Sequence, residues 1–152
     1  MLICLAFDGV LHSASSGWRG PSVINDPPVE GAMEFILELI DFGANVCVYS
    51  SRSNQPMGVR AMKRWLSKHP TPYMDIEKMR GEPTHIWLGR RERAAEQLVE
   101  QCIGFPNHKP PAHVTIDDRG ITFKGKWPTM KSLKSFKPWR TKAKEKKDGS
   151  TS

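Results

Sequence analysis

Three short apolar runs in this chain each stop abruptly at hydroxyl or carboxyl groups, and no other feature constrains the fold as much. Residues 2–7 are unbroken apolar and end at Asp8-Gly9. Residues 45–49 carry Val46, Cys47 and Val48 and end at Ser50-Ser51-Arg52. Val114, Thr115 and Ile116 run into Asp117-Asp118. Continuous apolar runs of this length suit strands buried on both faces, as in parallel sheets.

Helical patterns separate these runs. Ala32, Phe35, Ile36, Leu39 and Ile40 recur at helical spacing and predict a helix over 29–42 closed by Gly43. Pro56 opens a second over 57–68, with Val59, Met62 and Leu66 on one face. Residues 90–102 predict a charged amphipathic helix with Ala94, Leu98 and Val99 inward, and Ile103-Gly104-Phe105 a short strand. Residues 69–89 are hard to read, and His85 to Leu88 fits a short strand or a loop packing Trp87. Residues 12–28, rich in Ser, Gly and Pro, read as a loop. The alternation gives an α/β fold, doubly wound around a mainly parallel sheet. Sites in such sheets form at the C-terminal ends of the strands, where the polar groups stand here.

Charge divides the chain. Residues 124–152 hold ten Lys or Arg and two acids, whereas residues 1–123 hold 13 and 14. The basicity belongs to the C-terminal end, which either attracts phosphate-rich polymers or merely solvates itself. Met130, Leu133, Phe136 and Trp139, three residues apart, predict a short helix over 128–140 that docks an apolar face and turns Lys131, Lys134 and Lys137 outward. Residues 141–152 have almost nothing to bury and are expected to be disordered. Residues 1–127 are left as the main domain.

No apolar stretch approaches the roughly 18 residues of a membrane span. The apolar start meets Asp8 too soon for a signal peptide, so a cytoplasmic location is expected. The three cysteines show no CxxC spacing and read as plain buried thiols.

The motifs together resemble the haloacid dehalogenase superfamily of phosphatases. An apolar strand followed by Ala6-Phe7-Asp8-Gly9-Val10 matches its first motif and Ser50 its second. Lys109 in His-Lys-Pro-Pro-Ala matches its third, and Asp117-Asp118 its fourth. The chain is most similar to small members with minimal caps found in bacteriophages and bacteria. They share the phrases Phe-Asp-Gly-Val-Leu-His, Ser-Ser-Arg-Ser, Lys-Pro-Pro-Ala, Ile-Asp-Asp-Arg and Phe-x-Gly-x-Trp-Pro.

The resemblance implies a Mg²⁺-dependent phosphomonoester hydrolase that works through an aspartyl-phosphate. Asp8 is implied as acid to the leaving group and then base for water, with its main-chain carbonyl on the metal. Gly9 permits the sharp chain exit. Ser50, with the amides of Ser51 and Arg52, is implied to bind phosphoryl oxygens. Lys109 neutralises their charge, in competition with Arg52 and Arg119. Asp117 and Asp118 are implied as Mg²⁺ ligands, and oxygen donors suit that ion.

One position departs: the family's nucleophile is an aspartate where this chain has Ala6. A methyl group neither attacks phosphorus nor binds metal, so the chain as it stands is expected to be inactive or nearly so. Two functions stay open. One is a phosphatase scaffold with an open site, acting on nucleotides or nucleic-acid ends. The other is a catalytically dead module that holds a phosphorylated ligand or nucleic acid. Trp18, in the loop after the first strand, either contacts a substrate or pins that loop to the body.

Overall fold

A computed structural model describes residues 1–141, which form four β-strands and four α-helices in two compact units, Met1–Ile116 and Asp117 onward. The first unit holds β1 (Leu2–Ala6), α1 (Ala32–Asp41), β2 (Asn45–Tyr49), α2 (Gly58–Leu66), α3 (Thr84–Cys102), β3 (Ile103–Gly104) and β4 (Val114–Ile116). The strands form one all-parallel sheet in the order β3-β2-β1-β4. This is an α/β fold with a parallel sheet flanked by helices. The chain steps outward from β1 to β2 to β3, then returns to lay β4 on the other side of β1. Strand order therefore reverses between β1 and β4, and parallel sheets open a crevice at the carboxyl ends of the strands at such a reversal.

β1 is the centre of the sheet. Ile3, Cys4 and Leu5 are all buried, whereas Val114 on the edge strand β4 is exposed. Leu5, Phe7 and Val48 meet Met33 and Ile36 of α1 and Met62, Trp65 and Leu66 of α2 in one apolar core, with Val99 from α3. Burial of each large side chain contributes roughly 1.5–3 kcal/mol.

Several boundaries differ from the sequence reading. α1 starts at Ala32 rather than near Val29, because the Val29 N–H bonds to the Leu11 carbonyl (2.8 Å) and Gly31 takes a left-handed φ of 78°. α3 starts at Thr84, so residues 85–88 are neither strand nor loop. Pro83, extended at ψ 142°, starts that helix and accepts the N–H groups of Ile86 and Trp87. Trp87 is half-buried. Its indole donates to the Ile76 carbonyl (2.9 Å), and the Arg91 guanidinium lies 4.7 Å from its ring centroid. The longer helix turns Ala95 rather than Ala94 fully inward. Cys4 and Cys47 are buried as expected, but Cys102 at the end of α3 is exposed.

The second unit contains α4 (Met130–Lys134), shorter than expected; the Thr129 hydroxyl caps it by accepting the Ser132 N–H (3.1 Å). Pro138, which has no N–H, stands before Trp139. Apart from Thr141, the tail expected to be disordered lies outside the described residues. Among the described residues no helix is long and apolar enough to cross a membrane.

Gly58 opens α2 directly against the Arg52 carbonyl oxygen, and a Cβ there would collide with that backbone atom. Gly58→Ala is expected to lower the unfolding free energy by about 1–3 kcal/mol. Gly89→Ala, in mid-α3 with only the end of the Arg93 side chain nearby, is expected to be neutral or stabilising by up to about 1 kcal/mol. Urea denaturation of the two variants checks both.

Candidate active site

β1 ends at Ala6, and the chain then folds into a tight turn. The Phe7 carbonyl accepts the N–H groups of Leu11 (3.0 Å) and His12 (2.9 Å), and the Gly9 N–H bonds back to the His12 carbonyl (2.7 Å). Gly9 holds φ at 86°, where a Cβ is strained. Asp8 therefore stands in the turn, not on the strand. Strand alternation does not fix its direction; hydrogen bonds do.

Three donors converge on the Asp8 carboxylate. Arg52 approaches with both faces of its fork, Nε to Oδ2 at 2.9 Å and Nη2 to Oδ1 at 3.0 Å. His12 Nδ1 lies 2.8 Å from Oδ1. The tautomer follows from the other ring nitrogen. His12 Nε2 accepts the Asp26 N–H at 3.2 Å, so the imidazole proton sits on Nδ1 and points at Asp8. Burial alone would raise the Asp8 pKa; the hydrogen bonds from His12 and Arg52, with the guanidinium charge, outweigh it and hold the pKa below its usual value. Asp8 is thus kept as a carboxylate near neutral pH.

His12 is itself buried. It stacks on Phe7 with ring centroids 5.5 Å apart and meets the edge of Trp65 at 5.5 Å. Asp26 completes the set. Its carboxylate accepts from the backbone and hydroxyl of Ser16 (3.0 and 2.9 Å), and its carbonyl accepts the Trp65 indole N–H (3.1 Å). Sequence reasoning gave neither His12 nor Asp26 a role. The usable signal was His12 itself, the last residue of Phe-Asp-Gly-Val-Leu-His and four residues from Asp8.

Arg52 also organises the following loop. Its Nη1 donates to the carbonyls of Gly20 (2.8 Å), Pro21 (2.8 Å) and Val23 (3.2 Å), and the Trp18 ring centroid lies 4.4 Å from its guanidinium carbon. Of the two readings of Trp18, the contacts made are those of a loop pinned to the body.

Ser50 follows Tyr49, the register partner of Ala6, so the β1 and β2 exits lie side by side. The Ser50 hydroxyl oxygen accepts the Arg52 N–H at 3.3 Å, and the Ser50 N–H bonds to the Ser53 hydroxyl at 3.1 Å. The first bond uses the amide that the resemblance assigned to a phosphoryl oxygen, and in it the Ser50 hydroxyl is the acceptor. Ser51 is exposed at the tip of this turn. Lys109 is exposed between β3 and β4, with no ion pair among the described residues. The first unit thus brings together Asp8, Gly9, Ser50 and Arg52 beside Ala6.

Asp117 and Asp118 open the second unit. The Asp117 carboxylate accepts the Arg119 N–H at 2.9 Å in a local turn. The Asp118 side chain is buried, 3% exposed, with Oδ2 at 4.0 Å from Arg119 Nε and 3.8 Å from Arg140 Nε. Burial raises its pKa, against the opposing charges of Arg140 and Arg119.

Two chemistries can be weighed on these donors. Burial and the neighbouring Cys4 push the Cys47 thiol up to about 12, which removes it as a nucleophile. For Mg²⁺ the donor set is short. Ala6 brings no oxygen, both Asp8 carboxylate oxygens are engaged, and among the described residues no three His, Cys, Asp or Glu side chains are grouped to hold a metal ion. Comparison with family models, with curated proteins and with solved structures finds no match for this chain.

Asp8→Asn leaves the Arg52 guanidinium buried without its anion, and breaking a buried pair in this way costs about 3–5 kcal/mol. A carboxylate with a depressed folded pKa contributes fully above its unfolded value, near 3.8, and loses that contribution as pH falls through the lower folded value. The stability gap between this chain and Asp8→Asn is therefore expected to be widest near neutral pH and to close below about pH 3.8. Urea titrations across pH 2–7 check it.

Proposed function

We propose that this chain is a phosphoester-handling scaffold of haloacid dehalogenase type whose nucleophile position is held by Ala6. In this form it binds a phosphorylated ligand, such as a nucleotide or a nucleic-acid end, without hydrolysing it. The observation that carries this reading is the pairing of the β1 and β2 exits, Ala6 beside Tyr49, with Asp8 fixed beyond one and Ser50 beyond the other.

The charge at this place favours the same ligand class. A phosphoryl group approaching an isolated Asp8 would be repelled; the bidentate Arg52 cancels that charge before any ligand arrives. The Ser50 hydroxyl then offers a hydrogen bond, and exposed Lys109 is a further cation for the ligand. In a chain with aspartate at position 6, the carboxylate attacks phosphorus, the alcohol leaves, and water then cleaves the aspartyl-phosphate. The resemblance assigns Asp8 to take the proton of that water. Mg²⁺ remains the proposed cofactor of this reading, bound more weakly without the carboxylate at position 6.

The alternative is a catalytically dead module, which does not hydrolyse even with aspartate at position 6, and one result separates the two. Ala6→Asp is expected to gain Mg²⁺-dependent release of phosphate from an aryl phosphate, against a baseline near zero for the unaltered chain. A folded Ala6→Asp protein with no gain would leave the binding module as the surviving reading. Asp117→Asn on the Ala6→Asp background is expected to weaken Mg²⁺ binding, followed by calorimetry, because a charged oxygen ligand is lost.

A further inference from the structure

We propose that residues 119–137 of the second unit form a binding surface for single-stranded nucleic acid. The inference does not rest on the reading of the Asp8 site. Residues 119–141 carry seven Lys or Arg and no Asp or Glu. Large apolar side chains stand out among those cations: Phe123 is 56% exposed, Trp127 84% and Phe136 39%. Gly125, in the left-handed region at φ 83°, reverses the chain between Lys124 and Lys126. That reversal brings the rings of Phe123 and Trp127 together, with centroids 4.7 Å apart at 43°. The outcome is a paired aromatic platform flanked by two lysines. α4 continues the pattern, with Met130 and Leu133 exposed beside Lys131 and Lys134.

A surface of this composition selects its ligand by chemistry. Four lysines in a stretch, residues 119–141, that contains no Asp or Glu call for a polyanion. An indole left 84% in water calls for a flat apolar face. A single strand supplies both along its length, phosphates for the lysines and unpaired bases for the rings, and stacking of this kind tolerates any base. A duplex hides its base faces inside the stack. A lipid surface suits an amphipathic helix much longer than the five residues of α4.

The test uses the full chain and a fluorescein-labelled 20-nucleotide oligothymidylate, read by fluorescence anisotropy over a salt series. Binding at low salt is expected to exceed that of a 20-base-pair duplex. Trp127→Ala, at a side chain too exposed to matter for folding, is expected to weaken it about tenfold, the effect of one base left unstacked. Replacing Lys124, Lys126, Lys131 and Lys134 together by alanine is expected to flatten the log–log salt slope by about 0.7 for each phosphate no longer neutralised. Absence of binding at low salt, equal affinity for the duplex, an unchanged Trp127→Ala affinity, or preferential binding of phosphatidylserine vesicles would each overturn the proposal.

Discussion

A guanidinium that is 2% exposed is tolerable only when its charge meets an anion and its N–H groups meet acceptors, and Arg52 satisfies both demands through groups from two other parts of the chain. Asp8, from the turn after β1, takes Nε and Nη2. The carbonyls of residues 20, 21 and 23, from the loop before α1, take Nη1. Arg52 itself comes from the turn after β2, which Gly58 allows to lie close against α2. Removal of any one member exposes the others to desolvation without compensation. The β1 exit, the β2 exit and the intervening loop are therefore fixed as a set. This explains why a loop rich in Ser, Gly and Pro holds defined hydrogen bonds rather than wandering.

The parts of the fold legible in the sequence are those set by burial. The β1 and β2 runs declared themselves as strands by their buried apolar centres, and β4, an exposed edge strand, by the β-branched run Val114-Thr115-Ile116. α1 and α2 declared themselves by helical spacing. The start of α3 was not legible, because Gly89 and the mixed polarity of residues 84–91 leave no apolar stripe. There the helix is set by Pro83 and by the Trp87 contacts to Ile76 and Arg91, which spacing does not report. Ala95 and Val99, four residues apart, share the buried face of α3, with Ala94 and Leu98 at its margin.

The site was legible to the same limit. That Asp8, Ser50 and Arg52 stand at neighbouring strand exits follows from parallel pairing alone, once the strands are known. That the Arg52 side chain, and not only its amide, is the organising group does not. Neither does the inclusion of His12, because a histidine's tautomer and partners are settled by a backbone N–H fourteen residues away, at Asp26. Motifs preserve residue types; the direction of each hydrogen bond emerges only when the loop closes.

The two units also divide the electrostatic labour in a way that bears on what each can bind. In the first, the most buried charge is already neutralised inside the fold, so any ligand at the strand exits meets hydrogen-bond donors and a compensated carboxylate rather than a bare field. Such a place discriminates by geometry. In the second, the lysines of residues 124–134 have no acids among residues 119–141, and their field extends into solvent over about a Debye length, roughly 8 Å at physiological salt. Such a place attracts by charge and holds by stacking.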